Sequence, residues 1–174
     1  MHWKYLKSQL RHKWFVFLEC CKLGIPWLGI IHDWSKFLPS EWVPYARYFY
    51  GDYPDLQTMN TWAKSYYGGP TKQSIAYDFD VAWLHHQHRN KHHWQRWLLT
   101  LDSARSDGKL ISLAMPDKYR REMLADWRGA GRAYGNPNTA EWYRMNRHQI
   151  RLHGDTRRWI ENQLDSDKDL SCEP

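Results

Sequence analysis

Residues 3–23 read WKYLKSQLRHKWFVFLECCKL, and this stretch decides the fold class. Trp3, Leu6, Leu10, Trp14, Phe17 and Cys21 recur at three- and four-residue spacing, the period of one helix face. Gly24 and Pro26 follow directly and stop the helix. Working outward, a short second helix is expected over about 27–35 and a third over 40–50, with Ser40 as its cap. Residues 51–72 hold Gly51, Pro54, Gly68, Gly69 and Pro70 and read as loop, with a helix over 56–66. A long helical pattern covers 73–101, with a break expected near Asn90. Gly108 marks a turn, and Pro116 suits the first position of a helix running to about 133. Gly135-Asn136-Pro137-Asn138 breaks the chain, Thr139 caps a helix over 140–150, and Asp155 or Thr156 starts a last one to about 164. Nowhere is the period-two alternation of a half-buried strand sustained. The expectation is therefore all-α: a single-domain helical bundle over residues 1–164 with an aromatic-rich core, then a polar tail over 165–174.

Composition supports a small, aromatic core. Twelve Trp and eleven Tyr in 174 residues bury large areas with few rotatable bonds. The longest apolar run, Trp14 to Ile31, is interrupted by Glu19, Lys22 and Pro26, short of the about 20 uninterrupted residues that a membrane span needs. No secretory leader pattern opens the chain. Cys20 and Cys21 are adjacent and Cys172 is distant, an arrangement that suggests reduced thiols and a cytoplasmic protein. A net charge of +6 suits anionic substrates or nucleic acid, but the basic residues are dispersed, and a plain solvated surface accounts for them equally well.

Ten histidines carry the chemical signal. His12 lies off the apolar stripe of the first helix, on a face with Phe15, Val16 and Glu19, where Glu19 is placed to support a ligand. His32-Asp33 ends the apolar run Leu28-Gly29-Ile30-Ile31, and Lys36 follows. Adjacent side chains on a helix point about 100° apart, so both can serve one ion only near a helix end. The segment 85–93 holds His85, His86, His88, His92 and His93. On a continuous helix His86, Asn90 and His93 share one stripe, whereas His85, His88 and His92 share another. His88 and His85 are expected on the outer surface. Glu122 and Asp126, one turn apart among Met123, Leu124 and Trp127, need a cationic partner if buried, either an Arg or a metal. Imidazole and carboxylate donors from separate helices are the means by which bundle-core metal sites are built.

His12, His32-Asp33 and Asp126 resemble the ordered metal ligands of the HD-domain phosphohydrolases, and His32-Asp-Trp-Ser-Lys36 resembles the His-Asp-x-x-Lys of that class. His86 and His92-His93 are similar to the extra ligands of its cyclic-dinucleotide subclass. More closely, HDWSKFLPSEW at 32–42, AWLHHQHRNKHHWQRW at 82–97, MPDKYRREMLADWRGAGRAYG at 115–135 and EWYRMNRHQIRLHGDTR at 141–157 resemble DUF5662, a family of unassigned function seen in bacteria and phages. The resemblance implies an HD-like helical domain in the cytoplasm of a bacterial or phage-infected cell. It implies one or two divalent transition-metal ions (manganese, iron, cobalt, nickel or zinc) held by His12, His32, Asp33 and Asp126, with His86, His92 and His93 for a second ion. The implied reaction is hydrolysis of a nucleotide or similar phosphorylated small molecule by a metal-activated water. Asp33 and Lys36 would act in catalysis, and Trp34, Lys36, Arg89 and Asn90 would bind substrate. The competing expectation is a non-catalytic nucleic-acid- or protein-binding module with a structural metal. Membrane partners are not expected, nucleic acid is the less favoured partner, and the sequence leaves the oligomeric state open.

Overall fold

The computed structural model describes residues 1–55, 57, 59, 67–102 and 108–170, the side chains of 167–170 excepted. Among them are seven α-helices: α1 His2–Lys22, α2 Pro26–Ile31, α3 Pro39–Tyr50, α4 Lys72–Arg89, α5 Asp117–Tyr134, α6 Thr139–Asn146 and α7 Gly154–Leu170. Two 3-10 turns, Trp34–Phe37 and Trp94–Trp97, and a two-stranded antiparallel ribbon complete the set; β1 Leu98–Thr100 pairs with β2 Leu110–Ser112, Leu99 opposite Ile111. The fold is all-α, with aromatic-rich cores. No helix among the described residues is long and apolar enough to cross a membrane. The helix expected over 56–66 lies outside the described residues.

The chain forms two compact units. The first comprises residues 1–10 and 33–89, the second residues 11–32 and those from 90 onward. In the first, α3 packs on α4 around buried Tyr5, Tyr45, Ala46 and Ala82, with Trp42, Tyr50, Phe79 and Trp83 against them. Phe79 is the hinge of the aromatic cluster: its ring stacks on Tyr48 at 4.1 Å and meets Tyr45 edge-on at 4.9 Å.

In the second unit, Met123, Leu124, Tyr143, Ile150, Ile160 and Leu164 form the main core, and Val16, Cys20 and Ala125 a smaller one. Two glycines let backbones meet there. A Cβ on Gly29 would lie 2.9 Å from Cys20 Cβ and Phe17 Cα, bringing α2 against α1. A Cβ on Gly129 would lie 2.5 Å from Val16 Cγ2 and 2.7 Å from Val16 N, bringing α5 against α1. Any side chain larger than hydrogen would push these helices apart.

Several boundaries differ from the sequence expectations. The aromatic stripe of α1 faces outward: Trp3 is 65 % and Trp14 58 % exposed, and Leu10 is exposed too. The buried face is Tyr5, Gln9, His12, Val16, Glu19 and Cys20, at the same period but mixed in polarity. The helix expected over 27–35 stops at Ile31, because Asp33 takes a left-handed φ of 53°, a region that Asp tolerates better than most residues. Ser40 is not a cap; Leu38 precedes α3 in an extended conformation, and Pro39 fills the first turn, where no backbone donor is needed. The pattern over 73–101 divides at Asn90 into α4, a 3-10 turn and β1. Strands of three residues are too short to show alternation. Pro116 sits one position before α5. Asn138, not Thr139, caps α6, accepting a bond from Glu141 N at 3.0 Å, and that helix ends at Asn146. The last helix runs to Leu170.

Candidate metal centre

The second unit brings five ligand-type side chains together from four segments. His12 comes from the middle of α1. His32 follows the last residue of α2. His92 lies in the turn after α4, and Glu122 and Asp126 stand one turn apart on α5. His12 Nε2 lies 3.1 Å, and His32 Nε2 3.3 Å, from the same Asp126 oxygen. His92 Nε2 is 4.0 Å from the other Asp126 oxygen. His12, His32 and Asp126 offer donor atoms that lie within 4.8 Å of one another. The three imidazoles are all buried, and Asp126 is 16 % exposed.

Glu122 determines which nitrogens point inward. Its Oε1 accepts from His32 Nδ1 at 3.1 Å and from His92 Nδ1 at 3.2 Å. A carboxylate can only accept, so both Nδ1 atoms carry hydrogen. The Nε2 atoms of both rings then face Asp126, the orientation that a carboxylate behind a metal-binding imidazole produces. The rings are crowded, with centroids 5.6 Å apart for His12 and His32 and 4.4 Å for His32 and His92. The His12, His32 and Asp126 donors are near enough to one another to share a single cation.

The electrostatics agree. Burial alone would raise the Asp126 carboxyl, yet hydrogen bonds from His12 and His32 outweigh it and hold the group well below its ordinary value. Burial likewise opposes ionisation of Glu122, and the bonds from His32 and His92 overcome it. Both are anions at neutral pH. Burial, assisted by the Glu122 and Asp126 charges against the opposing pull of His32, pushes the nearby Cys20 thiol up to about 12. It stays protonated and is a poor nucleophile.

The first unit repeats the same device. His86 Nδ1 lies 2.8 Å from Glu41 Oε2, and its Nε2 lies 3.2 Å from Asp33 Oδ1. Ser35 Oγ donates to Glu41 Oε2 at 2.9 Å. Burial disfavours the His86 cation, but the Asp33 and Glu41 carboxylates prevail and raise its pKa above the ordinary value. Burial also opposes the Glu41 anion, and the bonds from His86 and Arg89 win.

Of the candidates read from sequence, His12, His32, His92 and Asp126 converge in the second unit. His93 is half-buried, its ring 4.1 Å from that of His92. Asp33, Lys36, His86 and Arg89 belong to the first unit. There Lys36 Nζ is 2.6 Å from Asp33 Oδ2, and Arg89 bonds Glu41 Oε1 at 2.6 Å and Ser40 at 3.1 Å, so both cations have carboxylate partners. Trp34 is exposed and Asn90 buried, while His85 and His88 are exposed as expected. Glu19, expected to support His12, instead bonds Arg132 at 2.6 Å. Glu41 carries no such signal in the sequence: in the Leu-Pro-Ser-Glu helix entry it reads as a first-turn acid, and only the fold reveals its histidine.

A family model described as "Family of unknown function (DUF5662)" matches residues 1–166 of the chain. No curated protein and no solved structure matches it.

Proposed function

The chain belongs to the DUF5662 family, and we propose that it is a divalent-metal-dependent phosphohydrolase acting on a small phosphorylated molecule. His12, His32 and His92 would hold the ion through Nε2, and Asp126 through its carboxylate. Glu122 would fix two of the rings from behind. The observation that carries this reading is the inward turn of three buried imidazoles onto one half-buried carboxylate. Nitrogen and oxygen donors in this mixture suit a first-row transition metal. Such an ion lowers the pKa of bound water and polarises a phosphoryl oxygen. Asp33 and His86, oriented by Glu41, supply two donors for a second ion.

The test is elemental analysis of the purified chain, then phosphate release measured over a panel of phosphorylated compounds. Near-stoichiometric metal, and turnover lost on chelation and regained with manganese or zinc, are expected. No bound metal and no thermal shift with manganese, zinc or nickel would defeat the proposal. The burial of the histidines favours one other reading, a structural ion in a non-catalytic binding module. In that case the metal is present, its coordination is closed by protein, and no phosphate is released.

A further inference from the structure

We infer that the cavity between α5 and α6 in the second unit binds a planar heteroaromatic ring, such as a nucleobase. This rests on the phosphohydrolase reading and deepens it, because it makes the phosphorylated substrate a nucleotide. The cavity has a volume of about 230 Å³ and is lined by Trp127, Ala130, Tyr134, Asn136 and Trp142. That is below the roughly 300–1,000 Å³ of sites that enclose a whole drug-sized ligand. It suits one flat group, with the rest of the molecule outside. No charged side chain lines it among the described residues, so a phosphate has no partner there and a neutral ring does. Trp127 and Trp142 pack on each other, ring centroids 5.3 Å apart at 57°, and form one aromatic wall against which a flat ring can lie. The Asn136 amide can both donate and accept at a ring edge.

Placement ties this cavity to the metal centre. Ala130 lies one turn beyond Asp126 on α5, about 6 Å along the axis. Tyr134 is 64 % exposed, and its ring stacks on His12 at 6.2 Å and 11°. A ring held against Tyr134 is therefore one aromatic layer from a ligand of the centre. A sugar would bridge the remainder, leading its phosphate toward Asp126.

Adenosine, guanosine, cytidine and uridine carry the ring without the phosphate, so they test the cavity alone. Each is titrated into the full chain, metal-free and zinc-loaded, with tryptophan quenching as the readout. At least one should bind saturably in both forms. Trp142→Leu removes a wall and Ala130→Leu fills the space; each should weaken that binding by about tenfold, leaving zinc affinity unchanged. No saturable binding of any nucleoside at millimolar concentration, or equal binding by both variants, overturns the inference. Zinc binding and phosphate release with no nucleoside binding would defeat the cavity assignment alone. Nucleoside binding without zinc binding would defeat the metal reading alone.

Discussion

A carboxylate that accepts from two imidazoles at once fixes both tautomers, which makes Glu122 the residue most open to a single-atom test. Glu122→Gln keeps the volume and one acceptor oxygen but removes the negative charge that both ring N–H groups meet. Metal affinity should fall about 10- to 100-fold, the usual cost of losing an outer-shell partner. Competition against a chromophoric chelator measures this, and unchanged affinity would reduce Glu122 to a packing role. Asp126→Asn should cost more affinity still, with the fold retained by circular dichroism, because it removes the one anion on which three Nε2 atoms converge. His88→Ala should do neither, since His88 is exposed; a loss equal to that of Asp126→Asn would mean that the histidine faces are wrongly assigned. The paired cysteines give a separate check. Cys20 is buried with its thiol pushed up to about 12, whereas Cys21 is exposed. Iodoacetamide followed by peptide mapping should label Cys21 in the native protein and Cys20 only after unfolding.

Three contacts on successive turns hold α5 against α1: His12 with Asp126, Val16 with Gly129, and Glu19 with Arg132. The middle rung is steric and sets the spacing of the other two. Gly129→Val would drive a branched side chain into the Val16 backbone, its Cβ 2.7 Å from Val16 N. It should destabilise the chain by about 1–3 kcal/mol in urea denaturation, as overpacking does, and also weaken metal binding. Stability lost with affinity intact would show that the rungs are independent. The same helix shows what the sequence disclosed. The period of α1 is plain in residues 3–23, but the period alone does not say which face is buried. The aromatic stripe is the more hydrophobic face and still turns outward, because the opposite face carries His12 and the small groove around Val16 that α5 needs. His12, His32 and Asp126 were legible because ligand-type residues beside apolar ones are conspicuous. His92 depends on the backbone break at Asn90, which moves it off the stripe that it would share with His85 and His88. Glu41 depends on α3 packing against α4, a long-range contact that no local pattern encodes.

At the scale of the whole molecule, buried ion pairs should give stability a limited pH range. Glu41, Glu122 and Asp126 are held below their ordinary values of 4.5, 4.5 and 3.8. The unfolded chain therefore takes up protons first on acidification. The stability these groups contribute is present above those ordinary values and is lost as pH falls through the folded values. His86 is raised above 6.5, so its contribution is complete below that value and is lost as pH rises through the folded one. Calorimetry of the metal-free chain should show Tm highest at mildly acidic pH and lower on both sides, and a Tm that climbs steadily below pH 3.8 would contradict the paired carboxylates. The contacts between α1 and α5 also have a consequence in time. Glu19 and Arg132 are 113 residues apart in the chain, and a ribosome delivers about 5–20 residues per second. For several seconds or more the nascent α1 and His32 are outside the exit tunnel while Glu122 and Asp126 have yet to be made. An ion held by the proposed centre would therefore be captured only late in translation, once α5 has been made.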